Sequence, residues 1–312
     1  MENLIISLNA VLPLFCFMVL GWILRRLNLY DDRVLKVINS LCFKVFLPFS
    51  LFKSTATTDL KAAFNGKLVL YGYLSLTVLF IILMIVVPRH IKENPKRGAV
   101  IQGIFRSNLA LFGLPLAISL VGEEQAGTTA LMVGLITPAL NVFAVICLET
   151  FRGGTVTLRK IIKGIVTNPL IIACVAGILI SVSGITLPYF VEKTVGDVGK
   201  IATPLALIVM GGGFVFSRIS ANIRILMPTV LAKILIVPAL AIIGGIALGF
   251  RGETLIPIMI MYGAPTAVSS YVMASTMDAD AELASEIVVF TTLFSIATMF
   301  VFIFTLKQLA FI

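Results

Sequence analysis

Apolar residues run along this chain in long blocks, separated by short polar interruptions. A hydrocarbon core about 30 Å thick takes roughly 20 helical residues to cross. Blocks of that length lie at 4–24, 34–54, 67–87, 99–121, 126–148, 168–186, 198–217, 225–248, 254–276 and 286–306. They predict ten transmembrane helices and an all-α integral membrane protein. The sixth block is short, and the seventh begins among Asp197 and Lys200. Ten spans use almost the whole chain and leave no soluble domain of any size. The first block lacks the basic region and small-residue cleavage site of a signal peptide, so it is expected to stay as a span.

Composition supports this reading. The chain of 312 residues is 59% hydrophobic and 12% charged, whereas soluble proteins carry about 25% charged residues. Disorder is excluded by the same low polarity. The net charge of +9 could suggest a nucleic-acid partner, but the basic residues lie between apolar runs and form no continuous patch. Cys16, Cys42, Cys147 and Cys174 all fall inside apolar runs without a CxxC pair, and read as small packing residues. The lipid bilayer is the partner that the composition demands.

Lys and Arg in short loops set the orientation. One side holds 14 (Arg25, Arg26, Arg33, Lys36, Arg89, Lys92, Lys96, Arg97, Arg152, Arg159, Lys160, Lys163, Arg218, Arg224) and the other 7 (Lys53, Lys61, Lys67, Lys193, Lys200, Arg251, Lys307). The richer side is therefore cytoplasmic, with both termini outside. The acidic loop of Asp278, Asp280 and Glu282 falls on the cytoplasmic side without a basic residue of its own.

The longest polar interruption, 149–167, divides the chain into a first five-span unit, 1–148, and a second, 168–312. An odd number of spans per unit inverts the second relative to the first. Features recur in order: Pro48 in span 2 and Pro204 in span 7, then Gly113-Leu-Pro115 in span 4 and Gly263-Ala-Pro265 in span 9. Proline removes a donor and clashes with the carbonyl four residues back, while glycine lets the backbone turn. A single Gly-x-Pro is an ordinary kink. Paired interruptions in corresponding spans point instead to the binding site of a secondary transporter, and predict that helices 4 and 9 are broken and cross.

The ionisable residues expected inside the membrane are Lys44, Arg106 and Lys233, all cationic, with no buried carboxylate to pair them. An unpaired mid-helix charge costs about 2.5–3.5 kcal/mol on insertion scales, so carbonyls, water or an anionic substrate must compensate. Each has a structural alternative: Lys233 as a packing or helix-end contact off the crossover, Lys44 bonding carbonyls freed near Pro48, Arg106 stabilising the crossover. Asn108 can tie the two breaks together or bind carboxylate. Pro115 and Pro265 are expected to open the second half-helices, whose free amides would converge as an anion site. Thr266, Ser269 and Ser270 add hydroxyls there, or serve as small packing residues. One histidine, His90, and no buried acid leave no general base or metal cluster, so no enzyme is expected.

At RSNLALFGLPLA (106–117) and YGAPTAVSSYVMA (262–274), supported by 11–30, 38–52, 167–180 and 202–214, the sequence resembles the auxin efflux carrier family of plant auxin exporters and bacterial malate and malonate carriers. The resemblance covers the whole chain. It implies a fold of the bile-acid/sodium symporter type, with inverted five-helix repeats, a scaffold of spans 1, 2, 6 and 7, a mobile core, elevator-like exchange and organic anions as substrates. The 149–167 loop is short, as in compact bacterial members, which implies a bacterial inner membrane. Na+ or H+ is the candidate coupling ion, no other cofactor is expected, and a second copy of the chain is a candidate partner. The competing readings are a ligand-sensing receptor that keeps the fold, for which no signalling domain is present, and a channel, for which no ring of like charges is seen. Single-cysteine labelling in intact cells tests the topology: Lys160→Cys should be inaccessible from outside, and external labelling would overturn the orientation.

Overall fold

The structure, a computed structural model, describes residues 2–57, 65–122, 125–152, 158–215 and 219–312. Lys61 and Arg218 of the charge count, residues 153–157 of the central loop and the side chain of Lys160 lie outside the described residues. Helices follow one another along the chain: α1 (Glu2–Arg26), α2 (Asp32–Ala56), α3 (Gly66–His90), α4 (Asn94–Phe105), α5 (Leu109–Val121), α6 (Gly127–Phe151), α7 (Leu158–Val166), α8 (Pro169–Ser183), α9 (Tyr189–Gly213), α10 (Ile219–Ala247), α11 (Leu255–Gly263), α12 (Ser269–Thr276) and α13 (Ala281–Gln308). Among the described residues there is no strand. Side-chain caps start four of them: Asp31 accepts from Val34 N–H, Asn65 from Leu68, Asn168 from Leu170 and Asp280 from Leu283.

Six helices among the described residues (α2, α3, α6, α9, α10, α13) are long and apolar enough to cross a bilayer, and α5 and α8 are shorter apolar helices. On α3 the exposed Leu70, Leu74, Val78, Ile81 and Ile85 recur every three or four residues. Such a stripe needs a cover, and hydrocarbon supplies it.

Proline shapes three of the helices in the same way. Leu47 N–H reaches Cys42 O, Leu114 reaches Leu109 O and Val237 reaches Ala232 O, each a π-type bond five residues back. The next residue is in every case a proline: Pro48, Pro115 and Pro238. Widening the turn moves aside the carbonyl with which the ring would clash, so the helix continues through the proline. This corrects the expectation for span 4. Gly113-Leu-Pro115 lies inside the continuous α5, and the chain breaks earlier, at Arg106–Asn108. In span 9 the break, 264–268, does adjoin Gly263 and contains Pro265.

Packing sorts the helices into two groups. α1 lies on α9, and α2 on α8 and α9, forming one layer. The other group joins α3, α4 and α6 to α10, α11, α12 and α13, chiefly where α4 meets α13 and α11 meets α10. Glycine makes the first layer tight, as small residues do where bilayer helices touch. A Cβ on Gly211 would sit 2.0 Å from Met18 O, and one on Gly21 2.0 Å from Ile208 O. Gly199 abuts the Ser50 backbone and Gly177 the Phe52 carbonyl. The Gly211-Gly-Gly213 run is thus a close helix contact.

At the opposite end from Lys53 and Tyr189, Arg152 Nε donates to Asp278 at 2.9 Å, and Asp280 N–H donates to Pro95 O at 3.1 Å. Asp278 of the acidic loop is thereby paired with Arg152 at the start of the basic linker. The layer contacts lead to a stability expectation. Gly211→Ala forces two backbones apart and should cost about 1–3 kcal/mol, read as a lower thermal unfolding temperature of the purified protein; an unchanged temperature would contradict the α1–α9 packing.

Candidate functional site

Each break leaves the last carbonyls of one half-helix and the first amides of the next without helical partners. The carbonyl ends are satisfied reciprocally. Asn108 N–H donates to Pro265 O at 2.8 Å and Ala267 N–H to Arg106 O at 3.1 Å, pairing Ser107 with Thr266 in a single antiparallel bridge. Ser107 Oγ donates to Met261 O in the last turn of α11, and Thr266 Oγ1 to Gly103 O, 2.6 Å away, in the last turn of α4. Thr266 N–H is taken by Thr291 Oγ1 of α13 at 3.2 Å. The two broken helices therefore cross and cap each other.

The amide ends are left differently. The first turns of α5 and α12 meet at a cavity of about 130 Å³, walled by Arg106–Leu111, by Ala267–Ser269, by Thr137 and Asn141 of α6, and by Ser50 of α2 and Thr203 of α9. No acidic residue lines it. Arg106 is buried, its guanidinium held by Gln102 Oε1 at 3.2 Å, Asn141 Oδ1 and Met273 Sδ, all neutral. The Asn108 side-chain amide and the hydroxyls of Ser50, Thr203 and Ser269 have no hydrogen-bond partner among the described residues. Two helix amino ends, a fixed guanidinium and unengaged amide and hydroxyl groups make a site with positive potential and both donors and acceptors. This is the chemistry of a small anion site. A larger cavity of about 620 Å³, rimmed by Lys53, Lys193 and Lys200 and by their ion-pair partners Glu192 and Asp197, shares Ser50, Leu111 and Thr203 with it. The two cavities thus adjoin.

Of the residues singled out from the sequence, Arg106, Asn108 and Ser269 line the cavity, and Gly263, Pro265 and Thr266 build the crossover behind it. Ser270 is buried beside it, with a hydroxyl that has no partner among the described residues. Gly113 packs against Ile260, and Pro115 sits exposed on α5, outside the cavity lining. Lys44 is not enclosed: its side chain is exposed on α2 and lines neither cavity. Lys233, expected to lie off the crossover, is at its centre, fully buried and donating to Ser107 Oγ and to Tyr262 O. A buried carboxylate also exists, contrary to expectation: Glu286 on α13 is 2% exposed and accepts from Asn222 Nδ2 at 3.0 Å, away from the cavity lining. The sequence reading passed over Gln102, Ser107 and Asn141. Gln102 and Asn141 carried a signal, as lone amides inside apolar runs.

A family profile described as "Membrane transport protein" matches residues 6–153 and 154–303. A protein of Rhizobium meliloti (strain 1021) named "Putative malonate transporter" is 24% identical over 305 residues, covering 93% of each chain. Uncharacterized transporters of Methanocaldococcus jannaschii and Methanothermobacter thermautotrophicus are 20% and 23% identical, over 93% and 94% of this chain and 96% of each relative.

The hold on Arg106 can be tested apart from any ligand. Asn141→Leu keeps the branched outline of the side chain but strips the guanidinium of one buried acceptor, and should cost about 1–3 kcal/mol. Thermal unfolding of the purified variant measures this, and wild-type stability would mean that Arg106 is held otherwise.

Proposed function

Since the chain belongs to the membrane transport protein family, the auxin efflux carrier-like family, we propose that it is a secondary carrier of small organic anions, carboxylates of the size of malate or malonate. The observation that carries the reading is the cavity in which the amino ends of α5 and α12 meet Arg106 and the unengaged Asn108 amide, with no acid in the lining. The printed name of the Rhizobium relative supports the carboxylate class.

On this reading the ten spans are α1, α2, α3, α4 with α5, α6, α8, α9, α10, α11 with α12, and α13, in two inverted units of five joined by the cytoplasmic 149–167 linker. Both termini face outside, in a bacterial inner membrane. The α1/α2/α8/α9 layer is the scaffold and the remaining helices are the moving core. A carboxylate accepts hydrogen bonds from the Asn108 amide and from the first-turn amides, and its charge offsets Arg106. That offset is what lets the core slide: a buried, uncompensated cation is costly in a bilayer, whereas in the loaded core the Arg106 charge is compensated by a carboxylate group of the substrate. Ser50 and Thr203, on the scaffold side, line the path from the outer cavity. The motion is an elevator-like exchange, coupled to Na+ or H+ or driven by the substrate gradient.

Uptake of labelled malate, malonate, succinate, lactate and indole-3-acetate into proteoliposomes, under imposed pH or Na+ gradients, tests the proposal. Arg106→Gln and Asn108→Ala should each weaken the transported acid's apparent affinity by the worth of a charge-assisted hydrogen bond, about 1.5–3 kcal/mol or roughly ten- to a hundredfold. Undiminished affinity and turnover in Arg106→Gln would remove Arg106 from the site. Uptake of none of these acids by the wild type would sink the carrier reading.

A further inference from the structure

Lys233 has no role in the cavity, yet it is the most completely enclosed cation of the molecule's described part, 0% exposed at the middle of α10. It stands in the π-turn Ala232–Ile236 that precedes Pro238, and the widened turn delivers its side chain to the crossover. No carboxylate lies within ion-pair distance of it among the described residues; Glu286, the buried acid, is bonded to Asn222 instead. What Lys233 meets is the carboxyl end of α11. Ile260 O is taken by Ala264 N–H, leaving the carbonyls of Met261, Tyr262 and Gly263 beyond the helix's own bonding. The Lys233 ammonium donates to Tyr262 O at 3.3 Å and to Ser107 Oγ, and the Ser107 hydroxyl in turn donates to Met261 O. The relay of ammonium to hydroxyl to carbonyl places a positive charge on the negative pole of a half-helix, in a medium with no water to screen it. The corresponding end of α4 has the Thr266 hydroxyl on Gly103 O and no ammonium.

We propose that Lys233 is a tethered counter-cation of the crossover: its ammonium fills the position at the end of α11 that a diffusible alkali cation would otherwise have to occupy. Lys233 is a positioning residue. It holds Ser107, and through the Ser107–Thr266 bridge it holds Asn108 and Ala267 at the cavity. Neither assembly of the site nor its loading then requires Na+ or K+ at that position. The uptake half of this proposal rests on the carrier reading; the stability half does not.

The experiment compares wild type, Lys233→Ala and Lys233→Met in buffers of NaCl, KCl, methylammonium chloride and choline chloride, reading thermal unfolding of the purified proteins and uptake of the transported acid into liposomes. Wild type should give the same unfolding temperature in all four, and the uptake of each variant is compared with wild type in the same buffer. Lys233→Ala in choline should unfold at lower temperature and lose about tenfold or more of its uptake, the scale of a charge-assisted hydrogen bond. Methylammonium or Na+ should restore its stability, because the truncated side chain leaves room for a cation. Lys233→Met, which fills that room, should be equally impaired and show no recovery, so a general salt effect is told apart. Two results would overturn the proposal: a wild type whose thermal stability requires Na+ or K+, or a Lys233→Ala protein that matches wild type in choline. Should the variants not be recoverable in any buffer, the wild-type comparison alone still decides. Should no acid be taken up, the carrier reading fails, while the unfolding temperatures continue to report on Lys233.

Discussion

Backbone amides and carbonyls inside a bilayer have no water to turn to, so a helix interrupted there must find partners for both of its new ends. In this protein the two interruptions answer each other. The carbonyl ends of α4 and α11 are satisfied by the crossing segments, through Thr266 on Gly103 O, Ser107 on Met261 O and Lys233 on Tyr262 O. The amide ends of α5 and α12 open onto a cavity. The asymmetry produces the site. Once protein groups have taken the negative poles, the positive poles are what remains to face the cavity, and Arg106, the only charged side chain in its wall among the described residues, carries the same sign.

Arg106 shows how a buried cation can be kept ready. Its guanidinium lies among Gln102, Asn141 and Met273, neutral acceptors that orient it without cancelling its charge. A carboxylate in their place would have made a stable ion pair and a poor anion site. Glu286 has its own amide partner, Asn222, and stays out of the cavity wall. Thus the same handful of buried polar residues separates two tasks, holding the crossover and presenting charge.

Much of this was legible in the sequence, and the misreadings have a common origin. The apolar blocks located the helices because length against bilayer thickness is a strong constraint. The break in the fourth block was placed at Gly113-Leu-Pro115, five residues late, because a proline's effect depends on whether the turn before it can widen. At Pro48, Pro115 and Pro238 it does, and the helix continues. The same register change hides the reach of the lysines. Lys44 and Lys233 both sit in π-turns, yet one is exposed and the other fully enclosed, which no linear pattern of residues distinguishes. Glu286 read as a loop-proximal acid because its helix begins at Ala281, a turn and a half earlier than the apolar block that marks it.

The glycine contacts of the first layer bear on the width of the cavity. Gly199 rests against the Ser50 backbone, where an added Cβ would come within 2.8 Å of the Ser50 Cα, and Thr203 follows one helical turn later. Ser50 and Thr203 are the hydroxyls that this layer contributes to the cavity wall. Their separation is consequently gauged by a bare backbone contact, with no intervening side chain whose rotamers could take up slack. A residue outside the cavity wall thereby acts as a spacer of fixed thickness, and the width of the cavity on this side is a ruler whose zero mark is a glycine.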